Sequence, residues 1–202
     1  LKAILFLIVI GYKSNAIGAE WTIEPNISVT GTYLDNVFLS PPGDEASDFV
    51  TEIDPEISIQ AYSRRGYVNF DYRMQNLFYA NNNSENTTNH ELEADASSEL
   101  YKNLLFLDLT ASYRQVLISP EGRGGFNNLS ITNDRTNEGD FTISPYFIKQ
   151  FGNFAIGELR YTYGQVDYSG NDESPADTRI NGIFVNLSSS PFAEVLAGTP
   201  AL

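Results

Sequence analysis

From Trp21 to Tyr33 apolar and polar residues alternate without a break. Trp21, Ile23, Pro25, Ile27, Val29, Gly31 and Tyr33 occupy one set, and Thr22, Glu24, Asn26, Ser28, Thr30 and Thr32 the other. A period of two sends successive side chains to opposite faces of an extended strand, whereas helical spacing fits this run badly. The run is also long. A soluble strand usually stops after about 5 or 6 residues, while one crossing a bilayer at a tilt needs roughly 9 to 11.

The same alternation predicts further strands. In Phe49–Tyr62 the odd positions, among them Phe49, Ile53, Ile57 and Ile59, stand against Glu52, Asp54, Glu56, Ser58 and Gln60, so every formal charge lies on one side. Tyr67–Tyr79 sets Val68, Phe70, Tyr72, Met74 and Phe78 against Asn69, Asp71, Arg73 and Gln75. His90–Leu100 sets Leu92, Ala94, Ala96 and Leu100 against Glu91, Glu93, Asp95 and Glu99. Leu104–Val116 opposes Leu105, Leu107, Leu109, Ala111 and Tyr113 to Asp108, Thr110, Ser112 and Arg114. Residues 138–150 oppose Phe141, Ile143, Pro145 and Phe147 to Asp140, Thr142, Ser144 and Tyr146. In Phe154–Tyr168, Leu159, Tyr161 and Tyr163 face away from Glu158, Arg160 and Thr162. An eighth strand near Arg179–Ser189 alternates too weakly to show which face is apolar, and Phe192–Leu196 reads as the opening of another.

The connections sort by length. Tight turns are expected at Ser63-Arg64-Arg65-Gly66, Lys102-Asn103 and Phe151-Gly152-Asn153. Longer polar loops are expected at 34–47, 80–89, 117–137 and 169–177. Alternating long and short connections between long two-faced strands predict an all-β, antiparallel, up-and-down transmembrane barrel of about eight strands, with tight periplasmic turns and longer external loops. A backbone in lipid must pair internally and leave no open edge, so closure is expected. Charge supports the registers. Pairing about Arg64 sets Glu56 opposite Arg73 and Ser58 opposite Asp71, and pairing about Lys102-Asn103 sets Glu91 opposite Arg114. Opposite charges facing each other across strands contribute about 0.2 to 1 kcal/mol each. Trp21, Tyr33, Phe49, Tyr67, Phe78, Tyr113, Phe147 and Tyr163 lie toward strand ends, where a headgroup-level aromatic girdle would sit.

Composition narrows the classes. Of 202 residues, 26 are acidic and 12 basic, and there is no cysteine. Residues 1–19 read as a secretory signal, with Lys2 at the positive end, an apolar run from Ala3 to Ile10 and small residues at Ala16-Ile17-Gly18-Ala19. Its removal takes away Lys2 and Lys13 and leaves a strongly acidic chain, for which nucleic acid is a poor partner. Residues 20–202 are then one barrel domain, expected in the outer membrane of a Gram-negative bacterium among lipid and lipopolysaccharide. Leu1 in the place of methionine suggests an alternative start codon or a clipped sequence, and the ending Gly198-Thr199-Pro200-Ala201-Leu202, which lacks a terminal aromatic strand, suggests a truncated larger barrel.

Tyr33-Leu34-Asp35-Asn36-Val37-Phe38-Leu39, the acidic loop behind it, and Ile53-Asp54-Pro55-Glu56-Ile57 resemble the start of the outer-membrane β-barrel proteins associated with PEP-CTERM and exopolysaccharide gene clusters. The resemblance implies a bacterial outer-membrane barrel with a role near polysaccharide export or the envelope, with exopolysaccharide or its export machinery as partners. It brings no catalytic residues.

Candidate chemistry follows from the polar faces. If the apolar faces meet lipid, the lumen is lined by Glu52, Asp54, Glu56, Asp71, Arg73, Glu91, Glu93, Asp95, Asp108, Arg114, Asp140, Glu158 and Arg160. An acidic surplus would favour passage of cations or basic solutes through a wide barrel. A barrel of about eight strands would instead be filled by its side chains. Catalysis has little to stand on. His90 is the single histidine, and Glu91 with Glu93 read as charged lining rather than a glycosidase pair. Gly122-Arg123-Gly124-Gly125 lacks the lysine and hydroxyl residue of a phosphate loop. Asp172, Glu173 and Asp177 read as a solvated acidic loop, so neither cofactor nor metal is expected. The expectation is a non-enzymatic porin-like barrel or envelope component. Two alternatives stay open: a small closed barrel acting through its loops as a structural or adhesive surface protein, and a soluble carbohydrate-binding β-sandwich.

Overall fold

A computed structural model of the chain describes residues 18–118, 128–169 and 175–189. The period-two runs form eight antiparallel strands: β1 (Glu20–Leu34), β2 (Asp48–Ser63), β3 (Gly66–Tyr79), β4 (Thr87–Tyr101), β5 (Leu105–Leu117), β6 (Arg135–Phe151), β7 (Ala155–Ser169) and β8 (Thr178–Ser189). They pair in sequence order in one sheet, each neighbour joined by a hairpin. The strands run from 12 to 17 residues, longer than a tilted bilayer crossing requires. The only helical element among the described residues is the single turn Asn83–Glu85, and no helix there is long and apolar enough to cross a membrane.

The registers keep the two faces separate across the sheet. Ile23 pairs with Ile59, Ile59 with Phe70, Phe70 with Ala94, Ala94 with Ala111 and Ala111 with Phe141. A slip of one residue anywhere would turn apolar groups onto the polar side. The expected pairings Glu56 with Arg73 and Ser58 with Asp71 are present. In β8 the apolar set is Ile183, Val185 and Leu187, opposite Tyr161, Leu159 and Gly157. Side chains on this face are bare: Ile27 is 67% exposed and Ile183 77%. Phe49 lies over Gly31, where a β-carbon would come within 2.6 Å of its ring, so an aromatic covers a residue that lacks a side chain of its own.

Several boundaries differ from the sequence expectation. β4 starts at Thr87 rather than His90, because Asn86 Oδ1 accepts the Tyr79 amide and Thr88 Oγ1 donates to Asn76 Oδ1, extending the ladder into the polar stretch. β6 likewise begins at Arg135. The β4–β5 turn holds Lys102, Asn103 and Leu104 instead of two residues. Asn103 takes a left-handed φ of 54°, and the register shifts between Glu99 and Tyr101, so Leu100 sits in a bulge. At the β6–β7 turn Gly152 supplies the left-handed residue, with a φ of 56°, and the strand resumes at Ala155. Tyr67 faces the polar side beside Tyr62, their rings 6.3 Å apart, and so is not part of the outward girdle. Closure is also corrected. Among the described residues β1 pairs with β2 alone and β8 with β7 alone, so the eight strands form an open sheet. The expected signal segment, Gly122–Gly125, Asp172, Glu173 and the segment from Ser190 onward lie wholly or almost wholly outside the described residues.

Candidate functional site

The polar face is where side chains two strands apart meet. Strands spaced about 4.8 Å put β5 and β7 nearly 10 Å apart, yet Arg160 Nη1 reaches Asp108 Oδ2 at 2.7 Å across β6. Hollows lined by polar-face residues of β2 to β5 and of β4 to β7 mark this face as the concave one. All thirteen expected lining residues lie on it, as the rows Glu56–Arg73–Glu91 and Asp71–Glu93–Ser112–Asp140 show. The structure adds Glu24, Glu138 and Tyr168 to the same face.

Its chemistry changes with level. In the middle, acids outnumber arginines, and each arginine is claimed. Arg73 pairs with Glu91 at 2.6 Å, not with Glu56, although both stand across from it. Arg114 pairs with Glu138 at 2.8 Å, not with Glu91. Glu91 and Glu138 flank Arg114 on its two neighbouring strands, and Glu91 is already held by Arg73. Serines satisfy other carboxylates: Ser58 donates to Asp71, Ser97 to Asp108 and Ser112 to Asp140. Glu56, Asp71, Arg73, Glu91, Glu93 and Arg114 border an open hollow of about 460 Å³. Asp54, next to Glu56 on the same face of β2 and opposite Ser28, is buried, and its Oδ1 finds no hydrogen-bond partner among the described residues, nor does Arg73 Nε. Buried polar atoms in such a position ordinarily meet water or a solute.

Toward the tight turns the face becomes aromatic. Phe106 and Tyr146 stack with centroids 5.1 Å apart, and the Arg160 guanidinium lies 3.7 Å over the Tyr146 ring while binding Asp108 and, at 2.9 Å, Glu158. Asn69 donates to both oxygens of Asp95. Sequence reasoning missed Phe106 as an inward ring, because Leu105-Phe106-Leu107 is a continuous apolar run.

Toward the long loops amides replace the ion pairs, and the face then becomes dry. Gln115 donates to Asn89, Asn89 to Gln75, and Gln75 to Glu52, three amides ending on a carboxylate across four strands. Above it Val37, Val50, Leu77, Tyr79 and Leu129 pack with at most 3% exposure, flanked by Leu34 and Ile131. Asp48, buried at the start of β2, accepts the amides of Phe49, Asn81 and Asn82 and the Asn82 side chain at 2.7 to 3.2 Å. The segment Tyr33–Leu39 also finds its purpose here. Asn36 closes the β1–β2 loop through reciprocal 2.8 Å bonds with Ser40, and Val37 enters the dry cluster.

His90 lies on the outward face, its Nδ1 2.8 Å from the Tyr72 hydroxyl and its ring stacked on that tyrosine. It is the residue opposite Met74, away from the acids of the concave face. Asp177 accepts the Tyr168 amide and so ends the β7–β8 connection.

Residues 15–181 match the protein family described as Putative beta-barrel porin 2. The chain belongs to that family. No curated protein and no solved structure was found to match it. For a beta-barrel porin the two faces acquire their environments directly: the bare apolar face is suited to lipid, and the hydrogen-bonded concave face to the interior. The family points to the outer membrane and to a non-enzymatic barrel. A soluble sandwich would bury its apolar face between two sheets, and here one sheet carries that face outward.

Proposed function

We propose that the chain forms wall of an outer-membrane pore whose acidic lining favours cations and basic solutes, in an envelope that exports exopolysaccharide. The observation that carries this reading is the charge left over on the concave face. Arg73, Arg114 and Arg160 are each engaged by carboxylates, while Glu56, Glu93 and Asp140 form no ion pair among the described residues. A row of uncompensated carboxylates around a water-filled path attracts counter-ions and repels anions. Export by the N-terminal signal and contact with lipopolysaccharide complete the proposed setting. The link to exopolysaccharide rests on the resemblance of Tyr33–Leu39 and Ile53–Ile57 to barrels from such gene clusters.

Reversal potentials across planar bilayers under a salt gradient test the pore. A cation preference is expected, and the combined change Glu56→Gln, Glu93→Gln and Asp140→Asn should bring the permeability ratio toward one. Anion preference, or no steady conductance at all, would sink the reading.

A further inference from the structure

The cations of the sheet divide by level. On the concave face Arg73, Arg114 and Arg160 are bound by carboxylates, whereas Arg64, Arg65, Lys102 and Lys149, at or beside the tight turns, are exposed and form no ion pair among the described residues. The turns that carry them are contiguous. The Glu99 amide donates to the Arg65 carbonyl at 2.6 Å and the Ile148 amide to the Leu104 carbonyl at 2.9 Å, so the β2–β3 turn abuts the β4–β5 turn, and that turn abuts the end of β6. Few acids oppose these bases. Glu99 accepts the Asn103 amide, Glu158 holds Arg160, and Glu20 is a single charge at the start of β1. At the other end the described parts of the long loops carry Asp35, Asp44, Glu45 and Glu85 and no lysine or arginine, with Arg179 the one exposed base on the strand ends there. Turn geometry does not ask for the bases, since the left-handed residues of the tight turns are Asn103 and Gly152 and neither Arg64 nor Arg65 takes a positive φ.

Apolar groups interleave with the charges. Leu100, Tyr101, Phe151 and Phe154 are exposed beside them. Lys149 shares the outward face of β6 with Phe147 and Phe151, so its alkyl chain can lie along the rings while the ammonium reaches the membrane surface. A water-soluble acidic partner would meet the bases and leave these rings wet. A phospholipid covers both, with its phosphate at the bases and its acyl chains at the rings. We infer that the tight-turn rim binds the phosphates of anionic phospholipids in the periplasmic leaflet and anchors that end of the barrel. The inference rests on the outer-membrane barrel with its tight turns in the periplasm, and it needs no conduction.

The chain supplies its own reporter. Trp21, the single tryptophan, is exposed on the outward face of β1 and pairs with Ala61, three residues before Arg64. The full chain is refolded into phosphatidylcholine vesicles containing either brominated phosphatidylcholine or brominated phosphatidylglycerol, and quenching of Trp21 gives the relative association of the two lipids. A preference of about fivefold for phosphatidylglycerol is expected at low salt, the effect of one well-placed base near an anionic surface. It should fade as salt is raised. Changing Arg64, Arg65, Lys102 and Lys149 together to Gln should abolish it, whereas Arg64→Lys with Arg65→Lys keeps the charge and should keep the preference. Equal quenching by the two lipids in the parent protein would refute the rim and leave the barrel standing. So would a preference that survives high salt, a reading that needs no variant to fold, or one that persists without the four bases. Loss of the preference to inorganic phosphate at matched ionic strength would assign the turns to a free anion and overturn the lipid. Quenching by neither lipid would mean that Trp21 meets no membrane, and the barrel reading would fall with this one.

Discussion

The two faces of the sheet treat their side chains in opposite ways. On the outward face Ile27, Val29, Ile183, Val185 and Leu187 are each at least 67% exposed, with the sheet offering them no apolar partner layer. On the concave face carboxylates, amides and hydroxyls are tied from strand to strand, and the dry cluster of Val37, Val50, Leu77, Tyr79 and Leu129 sits there too. A water-soluble protein gathers its apolar groups at the centre because water penalises their exposure. Here the apolar surplus faces out and the buried cluster is confined to the loop end. In a beta-barrel porin family that outward face is the one suited to lipid, and the buried packing among the described residues is concentrated where the loops meet the strands.

The largest effect should come from that cluster. Leu77→Ala removes a side chain that is 1% exposed from contact with Val50 and Leu129. A loss of about 3 to 4 kcal/mol is expected, from lost transfer energy and the cavity left behind. It is read as a lower urea midpoint, followed by the gel shift between folded and heated protein. If Leu77→Ala proved no worse than Leu109→Ala on the outward face of β5, the cluster would not be the seat of stability.

A pair of substitutions at one level sharpens the contrast between faces. Ile27 and Ser28 are neighbours in β1 whose side chains point to opposite sides, opposite Pro55 and Asp54. Ile27→Arg places a guanidinium toward the acyl chains and should cost about 2 to 3 kcal/mol in lipid vesicles. Ser28→Arg places it beside Asp54 and should be close to neutral. Equal penalties at the two positions, measured by urea unfolding in the same vesicles, would mean that the faces do not differ in environment.

Much of this contrast is legible in the residues alone, and the parts that are not have a common cause. Alternation over ten or more positions, with Arg64-Arg65 as a tight turn, sets the β2–β3 register, because any other would put Glu56 and Asp71 among isoleucines. The ion-pair choices are not decided that way. Arg73 has an acid on each neighbouring strand, and which one it binds depends on side-chain reach rather than register. The loop-end cluster hides for a different reason. Leu77-Phe78-Tyr79 and Phe49-Val50 are unbroken apolar runs, in which a period of two cannot tell an inward group from an outward one. Asn128-Leu129-Ser130-Ile131 resembles any polar loop until its partner on β3 is known. The outward position of His90 follows from its alternation with Glu91 and Leu92, but its contact with Tyr72 depends on the β3–β4 pairing, which no period of two reveals.

The smallest effects are expected among the arginines of the concave face, and they separate charge that holds the sheet from charge that serves the path. Arg160 is 27% exposed, binds two carboxylates and covers the Tyr146 ring. Arg160→Gln leaves Asp108 and Glu158 facing each other without a cation, so a loss of about 1 kcal/mol is expected, the ring contact supplying a good part of it. Arg114 is 59% exposed and meets Glu138 alone. Solvent screens such a pair, and Arg114→Gln should cost less than about 0.5 kcal/mol. Its consequence lies elsewhere, because it frees one more carboxylate beside Asp140 and should raise cation preference where Arg160→Gln, close to the turns and walled by rings, shifts it less. Urea midpoints and reversal potentials on the same two variants should thus rank them in opposite orders. The same rank on both measurements would show that stability and selectivity on this face are not divided by level.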